Sequence, residues 1–388
     1  MSIVQSLCRR SRTLNAYVNV FEAAMGRTRI ASLPLSMGIG VTTICNADCI
    51  FCLRESVKTK SHQTLDNLKR LLDPVIDTLQ EVGLEGNGEV LTNKDFLPFF
   101  HYLRDHGVDC YLITNGILLN AEVVEVLLSR GLREVTISLN AMTPAIYRAI
   151  MRVDGCAAAK TNVEKLVELR NRRGAVRPRI TLSMVVLNKN LADLPPFLEF
   201  ARRLQVDQVA VRPLTGLREN MEQNFDICAT SMEEYQGLHL TPEQNEEVIR
   251  QLDEFVKVPR PALVSNRDLF RNRSRVSPAT VSTESPHGLR PPCDLPWMSY
   301  NNYFTDGRIN VCCLTTEAHY AAGNGLQDQF PDIWNGPIYQ QFRRTVNSAD
   351  PIPTCRDCAY RIQRRGPLTD LLRRLGGSLR PTLPARGS

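Results

Sequence analysis

The chain has no run approaching the roughly 20 uninterrupted apolar residues that a membrane-spanning helix needs. Its first segment, MSIVQSLCRRSRTLNAYVNVFEAAMGRTRI, places arginines where a secretory signal would carry an apolar core. It therefore reads as a soluble N-terminal helix, with Val18, Phe21, Ala24 and Met25 near helical spacing, and the cytoplasm is the expected compartment. Aromatic residues make up only 6% of the chain, which leaves no stacking platform for bases, so no nucleic-acid partner is expected. The six histidines show no metal-ligand spacing. Gly86-Asn-Gly88-Glu89 is not followed by the Gly-Lys-Ser/Thr of a phosphate loop, no Ser-His-Asp arrangement is legible, and there is no internal repeat.

Charge of one sign is also scarce once it is located. The net charge of +6 equals the excess in the segment after Cys358, where Arg361, Arg364, Arg365, Arg373, Arg374, Arg380 and Arg386 face the single acid Asp370. The rest is formally neutral, and a basic terminus of this kind reads as a solvated tail, 361–388.

What is present is cysteine, twelve residues, unevenly placed. In a reducing compartment clustered thiols point to metal ligation or catalysis rather than disulfides. Between them, residues 35 to 213 alternate strand-like runs with helical ones. The strand-like runs are LSMGIGV, LEGNG, CYLIT, EVTISLN, RITLSMVV and QVAVRPL. Helices are expected over Leu65–Leu79, from near Lys94, over VVEVLLS, over TPAIYRAIMR with Thr143 as N-cap and Pro144 at the first helical position, and over LADLPPFLEFARRL. Such alternation indicates a parallel sheet with right-handed crossovers. Six units give an α/β fold, a partial (β/α)6 barrel, with its site on the loops after the strand C-terminal ends. Thr241-Pro-Glu-Gln244 opens a further helix with a capping box. The expected organisation is an N-terminal helical segment (1–34), the barrel (35–258), a Pro/Ser/Arg-rich linker (259–292), a small loop-rich cysteine-bearing domain (293–360) and the basic tail.

In the first cysteine group, Cys45, Cys49 and Cys52 are spaced C-x3-C-x2-C in the loop after the first strand, with Phe51 before the third thiol. Three thiolates hold three irons of a [4Fe–4S] cube and leave one iron open, and an open metal position is what catalysis uses. A zinc knot with a distant fourth ligand is the competing reading. The motif resembles that of the radical S-adenosylmethionine (SAM) superfamily. That resemblance implies SAM chelated on the open iron, reductive cleavage to a 5′-deoxyadenosyl radical, and an electron donor such as flavodoxin or ferredoxin. It also implies SAM contacts at Gly88 and Glu89, in a segment similar to the family's Gly-Gly-Glu, and at Asn115, Ser138, Asn140 and Arg152. Arg212, ending the sixth strand, is expected to face substrate or to sit in a surface ion pair.

The second group runs from Cys293-Asp-Leu-Pro-Trp297 through FTDGRINVCC and IWNG to Cys355-x2-Cys358. It resembles the SPASM/twitch extension of the same superfamily, which implies one auxiliary [4Fe–4S] cluster on Cys293, Cys312, Cys355 and Cys358. Cys312 is preferred over Cys313, since adjacent side chains on an extended segment point to opposite sides. A zinc ribbon is the alternative. Cys8, Cys110, Cys156 and Cys228 read as buried thiols, with Cys156 and Cys228 as the ones to test for hydrogen-atom donation. The expected activity is oxidation of a carbohydrate-like or other small metabolite. A peptide-modifying maturase and a non-catalytic iron–sulfur or zinc scaffold are the alternatives.

Overall fold

Alternation along each strand decides which way the sheet faces. In β1 (Ser36–Gly40) Met37 and Ile39 are buried, in β2 (Glu81–Glu85) Val82 and Leu84, and in β4 (Glu134–Ser138) Val135 and Ile137. These side chains meet the helices, while the alternate positions line a polar inner face. A computed structural model describes residues 3–52, 60–214, 231–264, 270, 293–312, 315, 318–356 and 358. Cys228, Cys313, the basic tail and most of the expected linker lie outside them.

The sheet is parallel, in the order β1 to β7. It continues with β3 (Asp109–Thr114), β5 (Arg179–Val186) and β6 (Gln208–Pro213). The six expected β/α units are all present, and a two-residue β7 (Ala262–Leu263) adds to them. It falls inside the stretch read as linker, where Ala262 N donates to Asp207 O at 3.1 Å and Val264 N to Val209 O at 2.9 Å. Two residues are too few to show a period. The crossovers carry α3 (Leu65–Leu72), α4 (Phe96–Asp105), α5 (Ala121–Ser129), α6 (Pro144–Met151), α7 (Cys156–Arg172) and α8 (Leu194–Leu204). The third helix stops short of Leu79 because Pro74 cannot continue it. The later helix Pro242–Phe255 begins with the expected capping box between Thr241 and Gln244.

The base of the inner face is closed by ion pairs. Arg133 bonds Glu81 at 2.8 Å and Arg179 bonds Glu134 at 2.5 Å, with Thr181 on Gln208 at 3.2 Å.

The C-terminal unit covers the free edge of β1. Leu35 N donates to Met298 O (2.8 Å), Tyr300 N to Ser36 O (3.1 Å), Asn302 N to Gly38 O (2.8 Å) and Gly40 N to Asn302 O (2.6 Å). An edge that would otherwise invite pairing with another chain is thereby occupied. A side chain at position 40 would collide with the Tyr303 backbone, so only glycine permits this approach. The unit also holds the antiparallel pair β8 (Arg308–Asn310) and β9 (Ala321–Asn324), with helices Phe330–Trp334 and Pro337–Thr345 packed through Trp334 and Tyr339 (4.8 Å between ring centroids).

The N-terminal segment, expected as one helix, forms two, α1 (Ile3–Arg10) and α2 (Arg12–Ala24), and the apolar residues near helical spacing are not the ones that pack. Phe21 and Met25 are 56% and 63% exposed, whereas Asn15, Asn19 and Glu22 are buried. The polar face wins because it faces backbone that lacks partners. Asn15 both donates to and accepts from Leu33, Asn19 donates to Trp297 O (2.5 Å), and the Glu22 carboxylate accepts from Ala31 N (2.8 Å) and Ser32 N (3.0 Å). Glu22→Ala strands two N–H groups and is expected to cost about 3 kcal/mol, read as a lower denaturant midpoint with an unchanged slope.

Candidate active site

The cysteine loop leaves β1 and is held from two sides. From α6, Met151 O accepts from Asp48 N (3.0 Å), Ile150 O accepts from Ile50 N (2.9 Å), and the Cys49 thiol lies 3.4 Å from Met151 Sδ. The start of α6 is itself fixed by Asp193, whose carboxylate takes Met142 N, Thr143 N and the Thr143 hydroxyl at 2.7–2.9 Å. From β2, Glu89 N donates to Ile44 O (2.9 Å), and Gly88 runs so close that a Cβ there would stand 2.5 Å from Ile44 O and 2.6 Å from Thr42 O.

Glu89 is buried, and both its oxygens are engaged: Oε1 by the Thr114 hydroxyl (2.7 Å) and Leu91 N (3.2 Å), Oε2 by Asn115 N (2.7 Å). Burial pushes its pKa up against those hydrogen bonds. A carboxylate has about four acceptor sites, so one remains for a ligand. Asn115 passes the connection on, its Nδ2 donating to Asn46 Oδ1 (2.7 Å) inside the cysteine loop. Glu89 and Asn115 are thus hydrogen-bonded to the cysteine loop through Asn46. Arg152, a left-handed cap at the end of α6 (φ 52°), brings its guanidinium to 3.9 Å from Asp48, also in the loop.

Among the remaining candidate residues, Asn140 has other partners, although its Nδ2 also reaches Met151 Sδ (3.6 Å) beside the Cys49 thiol. Asn140 is buried and holds β5, its Oδ1 accepting from Val185 N (2.9 Å) and its carbonyl from Asn190 Nδ2 (2.7 Å). Ser138 ends β4 opposite Ser183, half-buried. Phe51 packs against the core beside the thiols. Arg212 is exposed at the end of β6. Cys8, Cys110 and Cys156 are buried as expected; the Cys156 thiol donates to Met142 O (3.4 Å), and burial raises its pKa.

The residues that sequence reasoning missed line the inner face. Glu85, at the upper end of β2 and opposite Gly40, accepts from the Tyr111 hydroxyl (3.2 Å) and is also bonded by Tyr303 from the C-terminal unit. Burial, and more weakly the charge of Glu81, push its pKa up, opposed by the two tyrosines. Ile113, on the same face of β3, is 38% exposed, a marker of open space there. Position 85 alternates with buried Leu84, and that alternation is the signal that could have singled it out.

Cys45, Cys49 and Cys52 are half-buried thiols on one short loop. Among the described residues no three His, Cys, Asp or Glu side chains converge as a single-ion site. A cube of irons asks for another arrangement, one thiolate per iron with the sulfurs held apart. A fully buried hydroxyl without a partner, that of Tyr147 on α6, fits a polar group seated beside the loop. In the C-terminal unit, Cys293 is pinned through both its backbone groups by Asn347 (2.8 and 3.0 Å), Cys312 follows β8 and is tied to Thr315, and Cys355 lies on the short helix Pro353–Arg356 just before Cys358.

Residues 39–201 match the Radical SAM superfamily, and residues 293–359 match SPASM, an iron–sulfur cluster-binding domain. The tungsten-containing aldehyde ferredoxin oxidoreductase cofactor-modifying protein of Pyrococcus furiosus is 24% identical over 328 residues, 83% of this chain and 86% of that protein. The PqqA peptide cyclase of Gluconobacter oxydans is 25% identical over 346 residues, 85% of this chain and 84% of that one. Among solved structures, Streptococcus suis SuiB bound to precursor peptide SuiA superposes with a TM-score of 0.61 at 16% identity, covering 92% of this chain and 78% of that one. The two matches lead to one assignment: the chain carries a Radical SAM domain followed by a C-terminal SPASM iron–sulfur cluster-binding domain.

Proposed function

We propose that this enzyme oxidises a peptide, removing a hydrogen atom, a proton and an electron from it at the mouth of the inner face. The observation that carries the oxidative half is the convergence there of a half-buried carboxyl group, Glu85, with Tyr303 from the unit that matches an iron–sulfur cluster-binding domain. Cys45, Cys49 and Cys52 would hold the first cluster, and Cys293, Cys312, Cys355 and Cys358 the auxiliary one. With SAM bound, the first cluster would supply its reductive cleavage, and the auxiliary cluster would supply an electron acceptor. The chain's own residues do the rest. Glu89, Asn115 and Arg152 fix the cysteine loop and offer SAM polar contacts, together with Gly88, Ser138 and Asn140. Glu85 takes the proton. The hydrogen atom leaves in 5′-deoxyadenosine, so atoms and electrons balance for a dehydrogenation or a crosslink.

Peptide is preferred over the carbohydrate-like metabolite expected from the sequence. Relatives that span most of the chain include one named as a peptide cyclase and one captured with a precursor peptide. The name of the Pyrococcus relative favours a cofactor-like small molecule as the second reading. The test takes extract of the source cells grown in deuterated medium, separated into peptide and small-molecule fractions. Deuterium entering 5′-deoxyadenosine from the peptide fraction, and lost after protease treatment, supports the proposal. Transfer only from the small-molecule fraction sinks it.

Glu85→Gln is expected to leave 5′-deoxyadenosine formation in place while product formation drops about 100-fold. A base works ionised, and burial raises the pKa of Glu85. The acid limb of product formation therefore lies above the ordinary glutamate value of about 4.3. Tyr111→Phe, which removes a bond that favours the ionised form, moves that limb to higher pH.

A further inference from the structure

Tyr147 is fully buried on α6, yet its hydroxyl has no hydrogen-bond partner. Packing alone would be served by phenylalanine: the ring lies in the core against Gly155, where a Cβ would come within 3.5 Å of it. A buried hydroxyl left unbonded costs about 1–3 kcal/mol, and native interiors satisfy nearly all such groups. The hydroxyl's surroundings narrow the choice of acceptor. The groups whose charge reaches it are Cys49, Cys156, Glu89 and Cys45. Cys156 is occupied as a donor to Met142 O and is kept neutral by burial. Glu89 already receives Thr114, Asn115 and Leu91, and its fourth acceptor site is the one proposed for SAM. What remains is the sulfur of Cys45 and Cys49, on the loop that α6 holds through Ile150 and Met151.

We infer that Tyr147 donates its phenolic hydrogen bond to the sulfur shell of the cluster held by Cys45, Cys49 and Cys52, and so raises that cluster's reduction potential. This rests on the ligand assignment proposed for that loop. A hydrogen bond to cluster sulfur stabilises the reduced form more, because reduction adds negative charge to the sulfurs. Tyr147 is a tuning residue: it lowers the demand on the electron donor without touching the reacting carbon.

The experiment is a redox titration of the reconstituted full-length protein and its Tyr147→Phe variant, followed by electron paramagnetic resonance in the signal that SAM alters. At a fixed ambient potential the variant should show an about tenfold lower ratio of reduced to oxidised cluster, a midpoint shift of about 59 mV for one electron. Tyrosine labelled with 13C at Cζ gives a second measurement on the parent alone, independent of how well the variant folds: a carbon coupling to the reduced cluster is expected. Equal midpoints with full iron in both proteins, or no carbon coupling in the loaded parent, overturns the inference and leaves the cluster assignment intact. A parent that binds no SAM-sensitive cluster removes both.

Discussion

Replacing Cys45, Cys49 and Cys52 together by alanine is expected to abolish 5′-deoxyadenosine formation and to remove about half of about eight irons per chain. The loss is confined to one cluster because the two sets of thiols belong to separate elements. The first set lies between β1 and α3, and the second is distributed over the unit that begins at Cys293. The fold should survive: the three thiols are only half-buried, and when the Cys49 thiol's contact to Met151 Sδ is lost, the backbone bonds of Ile44, Asp48 and Ile50 to α6 and to the turn after β2 remain. Iron and sulfide counts, taken with SAM cleavage under strong reductant, read both effects at once. Continued cleavage in the triple variant would sink the catalytic assignment of this loop. Loss of all the iron would sink the independence of the two clusters.

The parts of this molecule that were legible in the sequence are those written in local pattern. Five strands lie on their strand-like runs, α6 was announced by Thr143 and Pro144, and the helix after Thr241 by its capping box. By contrast, β2 is Glu81–Glu85 and takes only Leu84 and Glu85 of the expected LEGNG, whose other residues form the turn. The thiols of the first group were legible because ligand spacing along one loop is a local property. Glu85, Tyr303 and Tyr147 were not. The bond between Glu85 and Tyr303 joins β2 to the C-terminal unit, and such a meeting leaves no trace in either segment alone. Tyr147 occupies an ordinary apolar position of an amphipathic helix, and only its orphaned hydroxyl distinguishes it. The packing of the N-terminal helices was not legible either. Periodicity marks an apolar face but not what it faces, and here the carbonyls and amides of residues 31–33 and 297 required Asn15, Asn19 and Glu22 instead.

Gly88→Ala should reduce SAM cleavage about 100-fold without touching any cluster ligand, since a misplacement of about 1 Å in a reacting geometry has that effect. The new methyl group would stand 2.5 Å from Ile44 O and 2.6 Å from Thr42 O. Both are backbone atoms in the connection from β1 to Cys45, so neither can swing aside as a side-chain end would. Relief comes only by moving the connection, which breaks the bond from Glu89 N to Ile44 O and loosens the link through Asn115 to Asn46. Overpacking of this kind costs about 1–3 kcal/mol, comparable to the expected cost of Glu22→Ala, and the pair of variants therefore separates stability from placement. Both should lower the unfolding midpoint, but only Gly88→Ala should lower cleavage at full iron loading. Equal activity in the two would mean that the cysteine loop takes its position from α6 alone, and that the turn after β2 serves packing.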